Sequence, residues 1–177
     1  AQELLERAWE KTRHGEARAT PWPWADTWPV ARLSVPSQSV SLIVLAGDSG
    51  RTLAFGPGHN FGSAALGEKG NSLVSGHRDT HFRFLEYLQQ GDRIYIDTPQ
   101  GQRKVYLVEA TSVVDARDAK LVSERQTSRL NLITCYPFEA IVPGGSLRYI
   151  VTAVEDRPPL NLLQSEVFMD KQNHNTI

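Results

Sequence analysis

The sequence predicts a mainly β protein, a closed or nearly closed barrel interrupted by short helices, and three observations carry that expectation. From residue 31 onward, short runs rich in Val, Ile, Leu and Tyr recur along the chain, each bounded by Gly, Pro, Asp or Asn. The helical patterns between them are brief, so the strand–helix alternation that builds a parallel sheet under covering helices is missing. The 177 residues are 40% hydrophobic and 22% charged, an ordinary balance for a folded domain, and the length suits a single core. Nineteen Lys and Arg stand against 20 Asp and Glu, a formal charge of -1, which gives no electrostatic reason to expect nucleic acid as a partner. One cysteine excludes an intrachain disulfide and any multi-cysteine metal site.

Taken in order, residues 1–14 set Leu4, Leu5, Ala8 and Trp9 at helical spacing between charged residues, the pattern of a short amphipathic helix. Packing on the body of the domain is the expected role, a membrane-proximal helix behind a removed anchor the alternative. Residues 20–30 cannot extend that helix, because Pro21, Pro23 and Pro29 remove donors and push their predecessors toward extended geometry. Trp22, Trp24 and Trp28 in this stretch are expected along a hydrophobic surface. Strands are expected over Ala31–Val35, Val40–Ala46, Ser72–Ser75, Arg93–Asp97, Arg103–Ala110, Leu130–Thr134 and Leu147–Val154. Short helices are expected over Phe82–Gln89, capped by Thr80, and around Ser123–Thr127. Gly47-Asp48-Ser49-Gly50 reads as a turn that starts a helix, and the polar end after Pro158-Pro159 as a fraying tail. The organisation is thus an N-terminal helix and Pro/Trp-rich linker over 1–30, the barrel over 31–157 and a tail over 158–177.

Chemistry concentrates at strand ends. Cys135 closes the apolar run Leu130-Asn-Leu-Ile-Thr-Cys, and Pro137 turns the chain just beyond it. A lone cysteine is most often a small buried hydrophobe, but one at the rim of a barrel can be exposed. His77 ends Asn71-Ser-Leu-Val-Ser-Gly-His in the same way, with Gly76 permitting close backbone approach and Arg78-Asp79-Thr80 starting a turn. If the two strands are neighbours, imidazole and thiol meet, and a nearby imidazolium favours the thiolate nucleophile. Arg148 begins an otherwise apolar strand after Gly144-Gly145; beside Cys135 it would be an always-charged donor for a carbonyl or oxyanion.

Ser-Gly-His77-Arg-Asp-Thr, Leu-Ile-Thr134-Cys135-Tyr-Pro-Phe and Arg148 after a Gly-rich loop together resemble the sortases, from about Ala31 to Val154. The Thr-Cys-Tyr-Pro-Phe form and Phe55-Gly-Pro-Gly-His59 are most similar to the class D-like and Gram-negative (proteobacterial) branches. The resemblance implies a closed eight-stranded β-barrel and a cysteine transpeptidase anchored on the outer side of the cytoplasmic membrane, the periplasmic face in a Gram-negative cell. Such an enzyme cuts a C-terminal Leu-Pro-X-Thr-Gly-like sorting signal of a secreted protein, holds it as a thioacyl-enzyme and passes the acyl group to an amine acceptor of the cell envelope or another protein. By that match Cys135 is the nucleophile, His77 the general acid and base, and Arg148 the oxyanion and substrate-positioning group. Thr134 would line the substrate groove. The groove is expected between the strands around Val105–Ala110 and Leu130–Thr134, with the loops before Cys135 and Arg148.

No cofactor is implied. Some family members bind Ca²⁺, and Glu109, Asp115, Asp118 and Glu124 lie in the corresponding region, but nothing separates them from a solvated face and no metal is assigned. Membrane attachment would rest on an anchor outside this chain, which opens on Ala1 with no leader pattern and no apolar run of spanning length. Trp22 and Trp24 are candidates for a lid over the groove. Two other classes stay open on the residues alone. One is another cysteine acyl-transfer enzyme; an L,D-transpeptidase would carry Arg where Tyr136 stands, and a papain-like enzyme would place His after its cysteine. The other is a non-catalytic barrel with a buried thiol. Gly47-Asp-Ser49-Gly lacks the surroundings of a serine-protease nucleophile loop, His77 and His81 lack the zinc-protease Glu, and His77-Arg-Asp79 lacks the phosphate-binding loop of a kinase.

Overall fold

The computed structural model describes residues 1–118, 126–142 and 144–157. Eight strands close into a barrel in the order β1-β2-β3-β4-β7-β8-β6-β5, with β5 pairing back onto β1. The strands are β1 (Pro29–Val35), β2 (Val40–Ala46), β3 (Gly58–His59), β4 (Gly70–Ser75), β5 (Arg93–Asp97), β6 (Arg103–Asp115), β7 (Ser128–Cys135) and β8 (Leu147–Glu155). Alternate residues of β1, β4 and β7 point inward, so Leu33, Val74, Leu130 and Leu132 meet Ile94, Ile96 and Val151 in one core. Closure leaves no unpaired sheet edge between β1 and β5. The buried Tyr106 hydroxyl is satisfied by Ser128 Oγ at 2.8 Å.

Helix α1 (Gln2–Arg13) buries Leu5, Ala8 and Trp9. Leu5 and Trp9 join Ile43 and Leu45 of β2 in a second, smaller core, with Trp22 and Phe55 packed against it. Glu6 pairs with Arg32 of β1, fixing the helix across the strand. The helix is therefore packed on the body of the domain, on the outer face of β1 and β2. The linker tryptophans divide. Trp22 stacks on Phe55 at 4.5 Å between ring centres and Trp28 holds the Arg18 guanidinium at 4.8 Å, but Trp24 is 82% exposed.

Most strands fall where the sequence places them, and three elements differ. β3 was not foreseen: it is two residues long, and its Gly58 is required because a Cβ there would lie 2.1 Å from the Gly47 carbonyl oxygen. β6 runs on to Asp115, past a bulge between Val108 and Ala110, pairing with β8 from Tyr106 to Asp115. The helix expected over Phe82–Gln89 is a 3₁₀ turn over Arg83–Tyr87 led by Phe82, and Thr80 does not cap it. Phe82, Phe84 and Leu85 all enter the core, a spacing that a regular α-helix would spread around its circumference. Gly50–Leu53 forms α2 as expected, with the Ser49 side chain accepting from Thr52 N. Most of the Ser123–Thr127 segment and the whole of the 158–177 tail lie outside the described residues. No helix among those described is long and apolar enough to cross a membrane.

Candidate active site

β4 and β7 run side by side and parallel, with Ser75 level with Ile133. The pairing continues past the end of β4, where Gly76 N donates to the Ile133 carbonyl at 3.0 Å. In that register the next pair of outward positions is His77 and Cys135. Gly76 points the other way, into the core: a Cβ on it would stand 2.7 Å from the Phe82 ring, so glycine is what lets the aromatic close under the strand end. Across the other edge of β7, Cys135 is directly opposite Arg148 on antiparallel β8. Residues opposed in this way project to the same side, with Cα atoms about 4.5–5.5 Å apart. The thiol thus sits on the outer face, between a strand end that bears an imidazole and a strand that bears a guanidinium.

The arrangement opens onto solvent. His77 is exposed and Cys135 half-buried. A cleft of about 260 Å³ is walled by His77, Arg78 and Asp79 on one side and by Cys135, Pro137 and Val142 on the other. Arg148 lies at its margin, where Nη1 donates to the carbonyls of Gly145 (2.7 Å) and Leu147 (2.9 Å). Two bonds through one nitrogen anchor the side chain at the start of β8, and among the described residues Nε and Nη2 make no further bond. Beneath the loop between β7 and β8 Tyr149 stacks on Tyr136 at 6.1 Å and meets Phe138 edge-on at 5.0 Å, an aromatic support for the segment that follows the cysteine.

Thr134 needs a different account from the one its sequence position gives. It is 2% exposed, and its hydroxyl donates to the Gly76 carbonyl at 2.8 Å. Alternation turns it inward as surely as it turns Cys135 outward, so it does not line the groove; it ties the strand end carrying the thiol to the one carrying the imidazole. Of the two strand segments expected around the groove, Val105–Ala110 lies away from Cys135. Ile133 and Ile150, paired and half-buried on the outer face, lie one step behind Cys135 and Arg148. They continue onto Ser112 and Val114 in the far half of β6. Val105 and Leu107 pair with β5, and Leu107 faces Val154, at the end of the sheet away from Cys135.

Arg78 escaped the sequence reading. It is only 8% exposed; its Nε and Nη2 grip the Asp79 carboxylate at 2.7 and 3.0 Å, and it donates to the carbonyls of Pro137 (2.8 Å) and Ala140 (2.9 Å). The carboxylate raises the Arg78 pKa, and the guanidinium in turn holds Asp79 below the usual carboxylate range. Burial lowers the His81 pKa, with the neighbouring His77 charge acting in the same direction. Of the acidic residues considered for Ca²⁺, Glu109 pairs with Arg129 at 2.7 Å and Asp115 with Arg117 at 2.6 Å, and Glu124 lies outside the described residues. Among the described residues no three His, Cys, Asp or Glu side chains converge. Nothing from residues 1–30 lines the cleft, and Trp22, one of the two lid candidates, is packed on Phe55.

Comparison with known proteins gives a consistent result. A family model described as the sortase domain matches residues 33–156. Sortase D of Bacillus subtilis (strain 168) is 32% identical over 120 residues, 67% of this chain and 60% of that protein. Sortase A of Bacillus anthracis is 29% identical over 126 residues, 69% of this chain and 57% of that protein. The chain therefore spans about 60% of the length of the curated relatives it matches. The crystal structure of sortase C-1 from Actinomyces oris superposes with a TM-score of 0.65 at 33% identity, covering 73% of this chain and 74% of that one. Sortase A from Corynebacterium diphtheriae gives 0.66 at 27% identity, covering 90% and 86%.

Proposed function

Because this chain belongs to the sortase family, we propose that it is a cysteine transpeptidase acting on a secreted protein that carries a C-terminal Leu-Pro-X-Thr-Gly-like sorting signal. One observation carries the reading: Cys135 is flanked on the same solvent-open face by His77 at the end of β4 and by its direct cross-strand partner Arg148. The Cys135 thiolate attacks the carbonyl carbon of the Thr–Gly bond. The oxygen that becomes negative is held by the Arg148 guanidinium. As the tetrahedral species collapses, the C–N bond breaks and His77 delivers a proton to the departing amine, leaving a thioester on Cys135. An acceptor amine then adds to the thioester carbon, His77 takes its proton, and the thiolate leaves. Dividing one amide exchange into two acyl transfers lets one imidazole serve as acid in the first and base in the second.

In this reading the enzyme works on the outer side of the cytoplasmic membrane, held by a membrane anchor, with a cell-envelope component or a protein amine as acceptor. Within the family we assign the chain to the class D-like or proteobacterial branch. The Thr-Cys135-Tyr-Pro-Phe and Phe55-Gly-Pro-Gly-His59 forms and the 32% identity to sortase D of Bacillus subtilis support that assignment. Intact-mass measurement after mixing with Leu-Pro-X-Thr-Gly peptides tests the reaction. The expected result is an adduct equal to the peptide lacking its C-terminal Gly segment, cleared by hydroxylamine and by amine acceptors. A folded protein that forms no adduct with any member of a peptide library overturns it.

A further inference from the structure

A buried arginine spans the two walls of the cleft. Arg78 follows His77 directly, and its guanidinium reaches under the cleft to bond the Pro137 and Ala140 carbonyls, 59 and 62 residues away in sequence. With the Asp79 carboxylate across its other edge, the fork makes four bonds in one plane. A second arginine, Arg83, holds the same turn from outside, donating to the Phe138 carbonyl and to Glu139, each at 3.0 Å. Between them the two side chains engage each consecutive residue from Pro137 to Ala140. They differ in place: Arg78 lines the cleft and is almost fully buried, whereas Arg83 faces solvent and does not line it.

The geometry points to Arg78 as a positioning residue that sets the separation between His77 and the Cys135–Ala140 wall. The inference rests on the transpeptidase reading above. The physical argument is one of rigidity. His77 is exposed at a strand end, and the turn beyond Cys135 is a loop; neither is held by sheet pairing on the cleft side. Thr134 fixes the strand ends below the cleft and Tyr149 supports the turn from one side. Arg78 is the group that joins the segment carrying the imidazole to the turn following the thiol, and its length and planarity fix their spacing. An ammonium on a flexible stem has one nitrogen and cannot hold a carboxylate edge-on while reaching two carbonyls. A misplacement of about 1 Å between reacting groups costs on the order of 10²-fold in rate.

The test compares Arg78→Gln, Arg78→Lys and Arg83→Gln in the whole chain with two probes of Cys135: a Leu-Pro-X-Thr-Gly peptide that the wild type acylates on, and iodoacetamide. The small reagent needs only an accessible thiol; the peptide needs both walls. Both Arg78 variants are expected to lose about 10²-fold in peptide kcat/KM, chiefly in kcat, with iodoacetamide alkylation within about threefold of wild type. Arg83→Gln is expected to lose much less. Wild-type peptide turnover in Arg78→Lys would reduce the role to charge and overturn the proposal, as would a parallel fall of both probes, which marks plain loss of structure. If the Arg78 variants do not fold, Asp79→Asn loosens the fork and should give a partial loss in peptide turnover alone; no loss overturns the proposal. A wild-type chain that never forms the thioester sinks the underlying reading, whereas an active wild type with indifferent Arg78 variants sinks only this inference.

Discussion

Two apolar outer faces of the barrel differ: among the described residues one is covered and the other is not. On β1 and β2 the outward residues Ile43 and Leu45 are sealed by Leu5 and Trp9 of α1, with Trp22 and Phe55 closing the margin. On β7 and β8 the outward residues Ile133 and Ile150 occupy the equivalent position in the sheet, yet no helix among those described covers them and they stay half-buried. The same strand alternation makes both faces. A sheet that is apolar on its outer side ordinarily recruits a layer of its own chain. Under the proposed function, an extended peptide would supply the missing layer on the bare strip that ends at the cysteine. On that reading the covered face belongs to stability and the bare face to substrate, so substitutions on the two should separate cleanly.

The largest separation is expected from Cys135→Ala. With no other thiol in the chain, thioacyl formation should fall below detection, while the thermal midpoint stays within a few degrees of wild type. Next is Arg148→Lys. The loss of an oriented donor at an oxyanion costs about 10²–10³-fold in kcat, and a lysine keeps the charge without the fork. Stopped-flow acylation that matches wild type in Arg148→Lys would remove the proposed oxyanion role. Trp9→Ala reverses the pattern. Truncating a fully buried tryptophan costs about 3–5 kcal/mol, read as a lowered denaturant midpoint, whereas kcat per folded molecule should not change. A drop in turnover at temperatures where Trp9→Ala is folded would mean that the two faces communicate.

This division also explains what could be read from the sequence. Periodicity found the strands because alternate burial leaves a period-two pattern, and it placed α1 because Leu5, Ala8 and Trp9 recur at helical spacing. Strand ends located His77, Cys135 and Arg148, since the topology brings β4, β7 and β8 together. Thr134 was misread because adjacency to a nucleophile in sequence means the opposite face in a strand; the alternation that exposes Cys135 buries its neighbour. Arg78 was invisible for another reason. Its partners at Pro137 and Ala140 are backbone carbonyls, which carry no side-chain signature, so a buried arginine reads as a turn charge. β3 was lost because two residues with glycine give no period, and its place is set by backbone pairing with β2 and β4.

A milder probe of the bare face is Ile133→Ser. The side chain is half-buried in the row behind Cys135, and trimming an apolar contact in a peptide groove changes binding by about 1–3 kcal/mol at most. The expected outcome is a several-fold rise in peptide KM with kcat nearly held and a stability change smaller than that of Trp9→Ala. If instead Ile133→Ser lowers the denaturant midpoint as far as Trp9→Ala does, the bare face contributes to the fold as the covered one does, and the contrast fails.

The smallest effect concerns pH at His81, whose ring lies within electrostatic reach of His77. Burial lowers the His81 pKa from its ordinary value near 6.5, and the His77 charge adds to that shift. The sign follows from linkage: the unfolded chain takes up this proton at a higher pH than the folded one does. The contribution of neutral His81 to stability is therefore fully present above about pH 6.5 and is lost as pH falls through the lower folded value. Denaturant midpoints followed from pH 7.5 down to pH 5 should decline more steeply in wild type than in His81→Gln. Asp79, lowered by its bond to Arg78, cannot produce this slope, because its own window opens only below the ordinary carboxylate pKa of about 3.9. Parallel curves for the two proteins would show that His81 titrates alike folded and unfolded, and that stability owes none of its pH response to that ring.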